Sequence, residues 1–109
     1  MTNIILLLFW LLSARIPPEL WQEYVVVAQC ESRLDYLAVG DNGSAKGLMQ
    51  IHYDLWLPWA IKQDSEFVNN KWENPIDNLK LAYIIQENYS IPRHQDRWHQ
   101  WSAKPNFDC

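Results

Sequence analysis

No apolar run in the chain is long enough to cross a bilayer: the longest extends only from Ile4 to Leu12, where a spanning helix takes about 20 residues. A basic surplus is also missing. Nine Lys and Arg stand against 13 Asp and Glu, for a net charge of −4 and a pI of about 5.2, and with no basic patch nucleic acid is excluded as the expected partner. Cysteine is scarce, at two residues, and neither has the histidine spacing of a structural zinc site, so no metal and no cofactor is expected. Repeats, low-complexity tracts, internal linkers and a charged tail are absent too, which at 109 residues leaves a single domain, expected to be monomeric.

Aromatic residues are abundant. Seven Trp, five Tyr and three Phe enlarge a core that is otherwise small for an independent fold. The same rings suit a sugar-binding cleft, where flat faces stack on apolar sugar faces. Trp56, Trp59, Trp98 and Trp101 are the candidates for that second use. The run Ile4–Leu12, followed by Ser13-Ala14-Arg15, has the length of the apolar segment of a signal peptide. It reads as an export signal or short anchor over residues 1–16, the one place where membrane contact is expected, or as a buried N-terminal element. The domain proper then covers 17–109. Cys30 and Cys109 would pair in an exported protein and would be separate thiols otherwise.

Helical signals dominate the rest. Pro17-Pro18 and Glu19 open a helix predicted to run to Ser32, with Leu20, Tyr24, Val27 and Leu34 on one stripe. Asp35 to Lys46 reads as loop, in which Asn42-Gly43 offers a tight hairpin turn. Leu48 to His52 is a short extended segment or a helical turn. Pro58 predicts a kinked or split helix over Leu55–Gln63, and Asp64-Ser65-Glu66 opens another short one. Asn74-Pro75-Ile76-Asp77 is the cleanest helix start, with Asn as cap, Pro first and Asp third. The helix after it buries Ile76, Leu79 and Tyr83 and ends near Asn88. The predicted fold is mainly α, a compact helical domain with at most a tiny β-hairpin and a cleft beside the helix that ends at Glu31.

Glu31 carries the chemistry. A carboxylate delivered by a helix end into a glycan-sized cleft can act as the general acid of glycosidic cleavage. It is followed by the turn-rich Gly40-Asp41-Asn42-Gly43-Ser44 and then by Gly47-Leu48-Met49-Gln50-Ile51. Glu31-Ser32, the segment Ala38 to Ser44 and Gly47-Leu48-Met49-Gln50-Ile51 together resemble the lysozyme-like domain of soluble lytic transglycosylases. With Cys30 before the glutamate, the chain also looks like resuscitation-promoting-factor domains and small phage-borne wall-degrading domains. Asn74-Pro75 to Ala82-Tyr83 resembles a later helix of that family.

The resemblance implies a lysozyme-like α+β fold and a substrate, the peptidoglycan glycan strand, cut between N-acetylmuramic acid and N-acetylglucosamine. It implies Glu31 as the catalytic acid, Gln50 as a cleft-lining residue and Ser32 as a support of the site. It places action outside the cytoplasm, at the periplasm or wall or on release from a phage. Where the family carries Tyr-Asn-Ala-Gly, this chain has Ala82-Tyr83-Ile84-Ile85, so Tyr83 matches in part only. His52, Met49, Trp56 and Trp98 complete the expected substrate-binding set, with a core role open for Met49 and a loop-tying role open for Gln50. Asp35 and Asp41 are the candidate second carboxylates that a muramidase would need and a transglycosylase would not. A glycan-binding module without catalysis is the remaining alternative.

Overall fold

The computed structural model describes residues 4–89 and Trp101. Helix α1 (Ile4–Ser13) is the apolar N-terminal run, and it turns Leu7 and Leu11 into the core. Ala14 and Ile16 follow them inward. The chain leaves α1 through Arg15 at φ 61, and a 3₁₀ turn at Pro18–Leu20 leads into α2 (Trp21–Ser32). The indole of Trp21 ties this entry by donating to the Ile16 carbonyl at 2.7 Å.

Helix α2 buries Tyr24, Val27, Ala28 and Ser32, the face that its spacing predicts, so packing overrides the strand preference of Val25-Val26-Val27. Its end has no glycine. Arg33 and Leu34 both take left-handed backbone angles, φ 55 and 64, and the Arg33 N–H caps the carbonyls of Ala28 and Gln29. Such angles cost about 1 kcal/mol or more each for a residue with a side chain, and burial of the Leu34 side chain offsets that by roughly 1.5–3 kcal/mol. The helix therefore stops one residue after Glu31, and Asp35 does not continue its face.

The segment read as loop and the short segment after it form a sheet. Strands β1 (Val39–Gly40), β2 (Ala45–Lys46) and β3 (Ile51–His52) pair antiparallel in the order β1-β2-β3. Val39 faces Lys46, and Lys46 faces Ile51. The expected single hairpin is corrected to three strands. The first reversal is the Asp41–Gly43 3₁₀ turn, with Asp41, Asn42 and Gly43 all at positive φ. The second is the turn Gly47–Gln50, where Gly47 (φ 82) and Gln50 (φ 51) send the chain back. Strands of two residues carry almost no alternation, so β1 and β2 show in the sequence only through the hairpin turn at Asn42-Gly43, while β3 lies in the segment Leu48–His52 for which an extended form was one of two readings.

Helix α3 (Tyr53–Gln63) runs as one helix through Pro58, where a kinked or split helix over Leu55–Gln63 was expected. Pro58 is the middle residue of the helix; it lacks the N–H that would bond the carbonyl of the exposed Asp54, and the buried Tyr53 and Ala60 hold the helix on both sides of it. Asp64 then caps a 3₁₀ turn at Ser65–Asn69, accepting from the Glu66 N–H at 3.0 Å. Helix α4 (Pro75–Tyr89) starts as predicted, with Asn74 Oδ1 accepting from the N–H groups of Ile76 and Asp77 at 2.9 and 3.3 Å. Its buried face is Asn78, Leu79, Leu81, Ala82, Ile85 and Gln86, while Ile76 and Tyr83 are half-buried. The domain is mainly helical with a small three-stranded antiparallel sheet, and its core joins side chains of all four helices to Leu48, Met49 and Ile51.

Candidate functional site

Glu31 is the penultimate residue of α2 and is partly buried. Ser32 beside it is buried, and its hydroxyl donates back to the Ala28 carbonyl at 3.1 Å. That bond anchors the last turn of the helix on which the carboxyl group sits. Asp35 follows in a tight turn, its Oδ1 accepting from the Leu37 N–H at 2.9 Å. This is the local side-chain-to-backbone bond by which Asp makes turns.

The turn Gly47–Gln50 is fastened from several directions. The Gly47 N–H donates to the Ala38 carbonyl at 2.8 Å. Gln50 Nε2 donates to the carbonyls of Ala38 and Gly47, both at 3.0 Å. A carboxamide nitrogen has two N–H groups, so both donors of Gln50 are engaged by backbone carbonyls, one within the turn and one in the segment before β1. Its Oε1 presses on Gly40, where an added Cβ would lie 2.5 Å from it. Gln50 thus links the segment leaving α2 to the turn before β3, the loop-tying role left open by the sequence.

Asn78 of α4 is the residue that sequence reasoning missed. It is fully buried, its Oδ1 accepts from the Met49 N–H at 2.8 Å, and its Nδ2 donates to the Lys46 carbonyl at 3.1 Å. Helix α4 therefore holds the turn and the end of β2 at once. Gly47 makes the approach feasible: a Cβ there would collide with Asn78 Nδ2 and sit 2.8 Å from the Trp72 carbonyl oxygen. The signal was present in the sequence, because Asn78 shares one stripe with Ala82 and Ile85. A carboxamide buried on such a stripe must be bonded, and a loop backbone is the partner at hand. Gln86 is a second case, accepting from the Tyr24 hydroxyl at 2.8 Å to join α2 to α4.

The other expected site residues are more dispersed. Met49 has no exposed surface, and its carbonyl accepts from the Trp101 indole at 2.8 Å. Trp101 is itself buried, so this ring supports the turn from behind and offers no open face for stacking. Trp56 and Trp59 are half-buried and meet edge to face, centroids 5.4 Å apart at 84°. Trp98 lies outside the described residues. His52 Nε2 and Asp41 Oδ2 are 3.3 Å apart on the open side of the sheet, both well exposed. Cys30 is disulfide-bonded; Cys109, the other cysteine of the chain, lies outside the described residues. Among the described residues no group of three His, Cys, Asp or Glu converges on a metal position.

Tyr83 belongs to a different place. With Arg15, Phe67, Asn70, Asp77 and Lys80 it lines a pocket of about 600 Å³ whose walls include no residue of α2 or of the sheet. The hydroxyl of Tyr83 donates to Glu87 Oε1 at 3.3 Å. Nearby, burial pushes the Tyr53 phenol above the ordinary tyrosine range, and its hydroxyl donates to Asn70 Oδ1 at 2.8 Å. The structure thus brings Gln50 and Met49 into one hydrogen-bonded turn, leaves Ser32 bonded within α2, and sets Tyr83 apart in its own pocket.

No protein-family model, no curated protein and no solved structure matches this chain.

Proposed function

We propose that the protein is a peptidoglycan lytic transglycosylase of lysozyme-like fold, with Glu31 as its single catalytic acid and base. The observation that carries the reading is the abrupt end of α2. The helix stops one residue beyond Glu31, and six residues of turn and loop later the chain enters a small sheet whose second turn is fixed by Gln50, Asn78 and Trp101. A general acid must hold its position to a fraction of an ångström, and a buried, back-bonded helix end followed by a clamped turn supplies that rigidity.

In this mechanism Glu31 donates its proton to the glycosidic oxygen, and the bond from that oxygen to the anomeric carbon breaks with oxocarbenium-like character. The 6-hydroxyl of the same muramic acid residue then attacks the anomeric carbon. The Glu31 carboxylate takes the hydroxyl proton, which restores the starting state and leaves a 1,6-anhydro end. Proton transfer by a placed side chain contributes about 10²–10⁴-fold. The course needs no second carboxylate, and the local bonding favours it over a muramidase. Asp35 is engaged in its own turn, and Asp41 pairs with His52 on an exposed surface. Gln50 serves as a positioning residue, since both its amide donors are bound to backbone carbonyls.

The test is digestion of purified peptidoglycan followed by mass spectrometry. The expected products are muropeptides one water lighter than hydrolysed ones, and Glu31→Gln removes turnover by at least about 10²-fold while leaving glycan binding in place. Reducing muramic ends would show a hydrolase instead. Binding without any turnover in the unaltered chain would leave only a glycan-binding module.

A further inference from the structure

Helix α1 has an outer face as apolar as its inner one. Leu7 and Leu11 point into the core. On the opposite side Ile5, Phe9 and Leu12 are 67 %, 62 % and 61 % exposed, and Ile4, Leu6 and Leu8 flank them, all exposed. The first and last turns of the helix contain no acidic and no basic residue. A continuous exposed apolar face of this kind marks a contact with something apolar.

We propose that α1 docks the domain onto the surface of a lipid bilayer, lying in the interface with Ile5, Phe9 and Leu12 among the acyl chains. The size of the patch favours lipid over a second copy of the chain. A ten-residue helix is about 15 Å long and 10–12 Å wide, whereas a stable protein interface takes about 800 Å² from each partner. Lipid tails need no complementary partner surface and accept side chains one at a time. No helix among the described residues is long and apolar enough to cross a membrane, so the contact is with one face of the bilayer.

Charge determines which bilayer. Around the C-terminal end of α1, Arg15 and Lys80 share the pocket rim with Asp64, Glu66 and Asp77, and the whole chain carries −4. Among the described residues there is no basic belt around α1 to attract anionic headgroups, so docking is apolar and insensitive to salt. The exposed portions of the six side chains amount to about three whole ones. That compares with a single acyl chain, which binds reversibly at about 10⁴ M⁻¹.

The inference stands apart from the glycan-cleaving reading, and its test uses no glycan. The full chain is floated with phosphatidylcholine vesicles, alone and with added phosphatidylglycerol, at low and raised salt. The expected result is co-flotation at about 10⁴ M⁻¹, unchanged by salt and not improved by the anionic lipid. Ile5→Ser, Phe9→Ser and Leu12→Ser together lower binding by about 10-fold or more, since each removes exposed apolar surface. Phe9→Ser alone gives a smaller drop, and either variant keeps the melting temperature because these side chains lie outside the core. Glu31→Gln floats like the unaltered chain whatever its effect on turnover. Absence of flotation overturns the proposal, as does undiminished flotation of the triple variant. So does a dimer, seen by sedimentation and abolished by the same substitutions, in a chain that ignores vesicles.

Discussion

Replacing Asn78 by alanine tests whether α4 holds the turn through Met49. Asn78→Ala removes the acceptor of the Met49 N–H and the donor to the Lys46 carbonyl. The first bond is buried, so an unsatisfied N–H there costs about 1–3 kcal/mol; the second is partly buried and loses about 0.5–1.5 kcal/mol, since water can replace it. The expected total is about 2–4 kcal/mol, a large share of the roughly 5–15 kcal/mol by which a domain of this size is stable. Urea unfolding should show the midpoint falling by about 1–3 M, and hydrogen exchange should show the Met49 amide losing protection more than the amides of α2. Asn78→Asp keeps an acceptor for Met49 but sets a second oxygen against the Lys46 carbonyl. A buried carboxyl in that place holds its proton, so its folded pKa lies above the unfolded value. The stability of this variant is then greatest below the unfolded carboxyl pKa and lost as pH rises through the folded one. Gly47→Ala inserts a Cβ against the same amide at φ 82. Its cost, combined with Asn78→Ala, should be less than additive because the two changes share a contact. A loss under about 0.5 kcal/mol for Asn78→Ala, with Met49 still protected, would refute the clamp.

Trp101→Phe keeps a ring but removes the donor to the Met49 carbonyl, so it should lower stability by about 1–3 kcal/mol, read by thermal melting. Asp41→Asn breaks an exposed pair with His52; turnover should stay within about 2-fold of the original, and a loss of about 10²-fold or more would favour the muramidase course instead. Burial raises the folded pKa of Tyr53 above its unfolded value. The stability it contributes is therefore complete below about pH 10, the unfolded tyrosine pKa, and is lost as pH rises beyond it. Tyr53→Phe should show a shallower alkaline fall in melting temperature, and an unchanged slope would contradict the burial argument.

The sequence by itself determined the elements whose signals are local. Pro18 and Asn74-Pro75 mark helix starts whatever packs on them, because capping and a fixed φ act within one turn. The apolar stripes of α2 and α4 needed only the helical period. The end of α2 at Ser32 was legible too, but the left-handed exit at Arg33 and Leu34, the continuity of α3 through Pro58 and the three-stranded sheet were decided by the tertiary structure. Leu34 takes a left-handed angle because its side chain is buried, Tyr53 and Ala60 hold α3 on both sides of the proline, and strands of two residues exist only as pairings. The framework around the candidate site divides in the same way. Glu31 could be singled out from its type and its place at a predicted helix end, and Gln50 from the resemblance of Gly47-Leu48-Met49-Gln50 to a family motif. That Gln50 directs its amide donors to the Ala38 and Gly47 carbonyls, and that Asn78 and Trp101 secure Met49 from distant positions in the chain, depends on which groups folding brings within hydrogen-bond reach. A linear pattern of residue types holds no record of that.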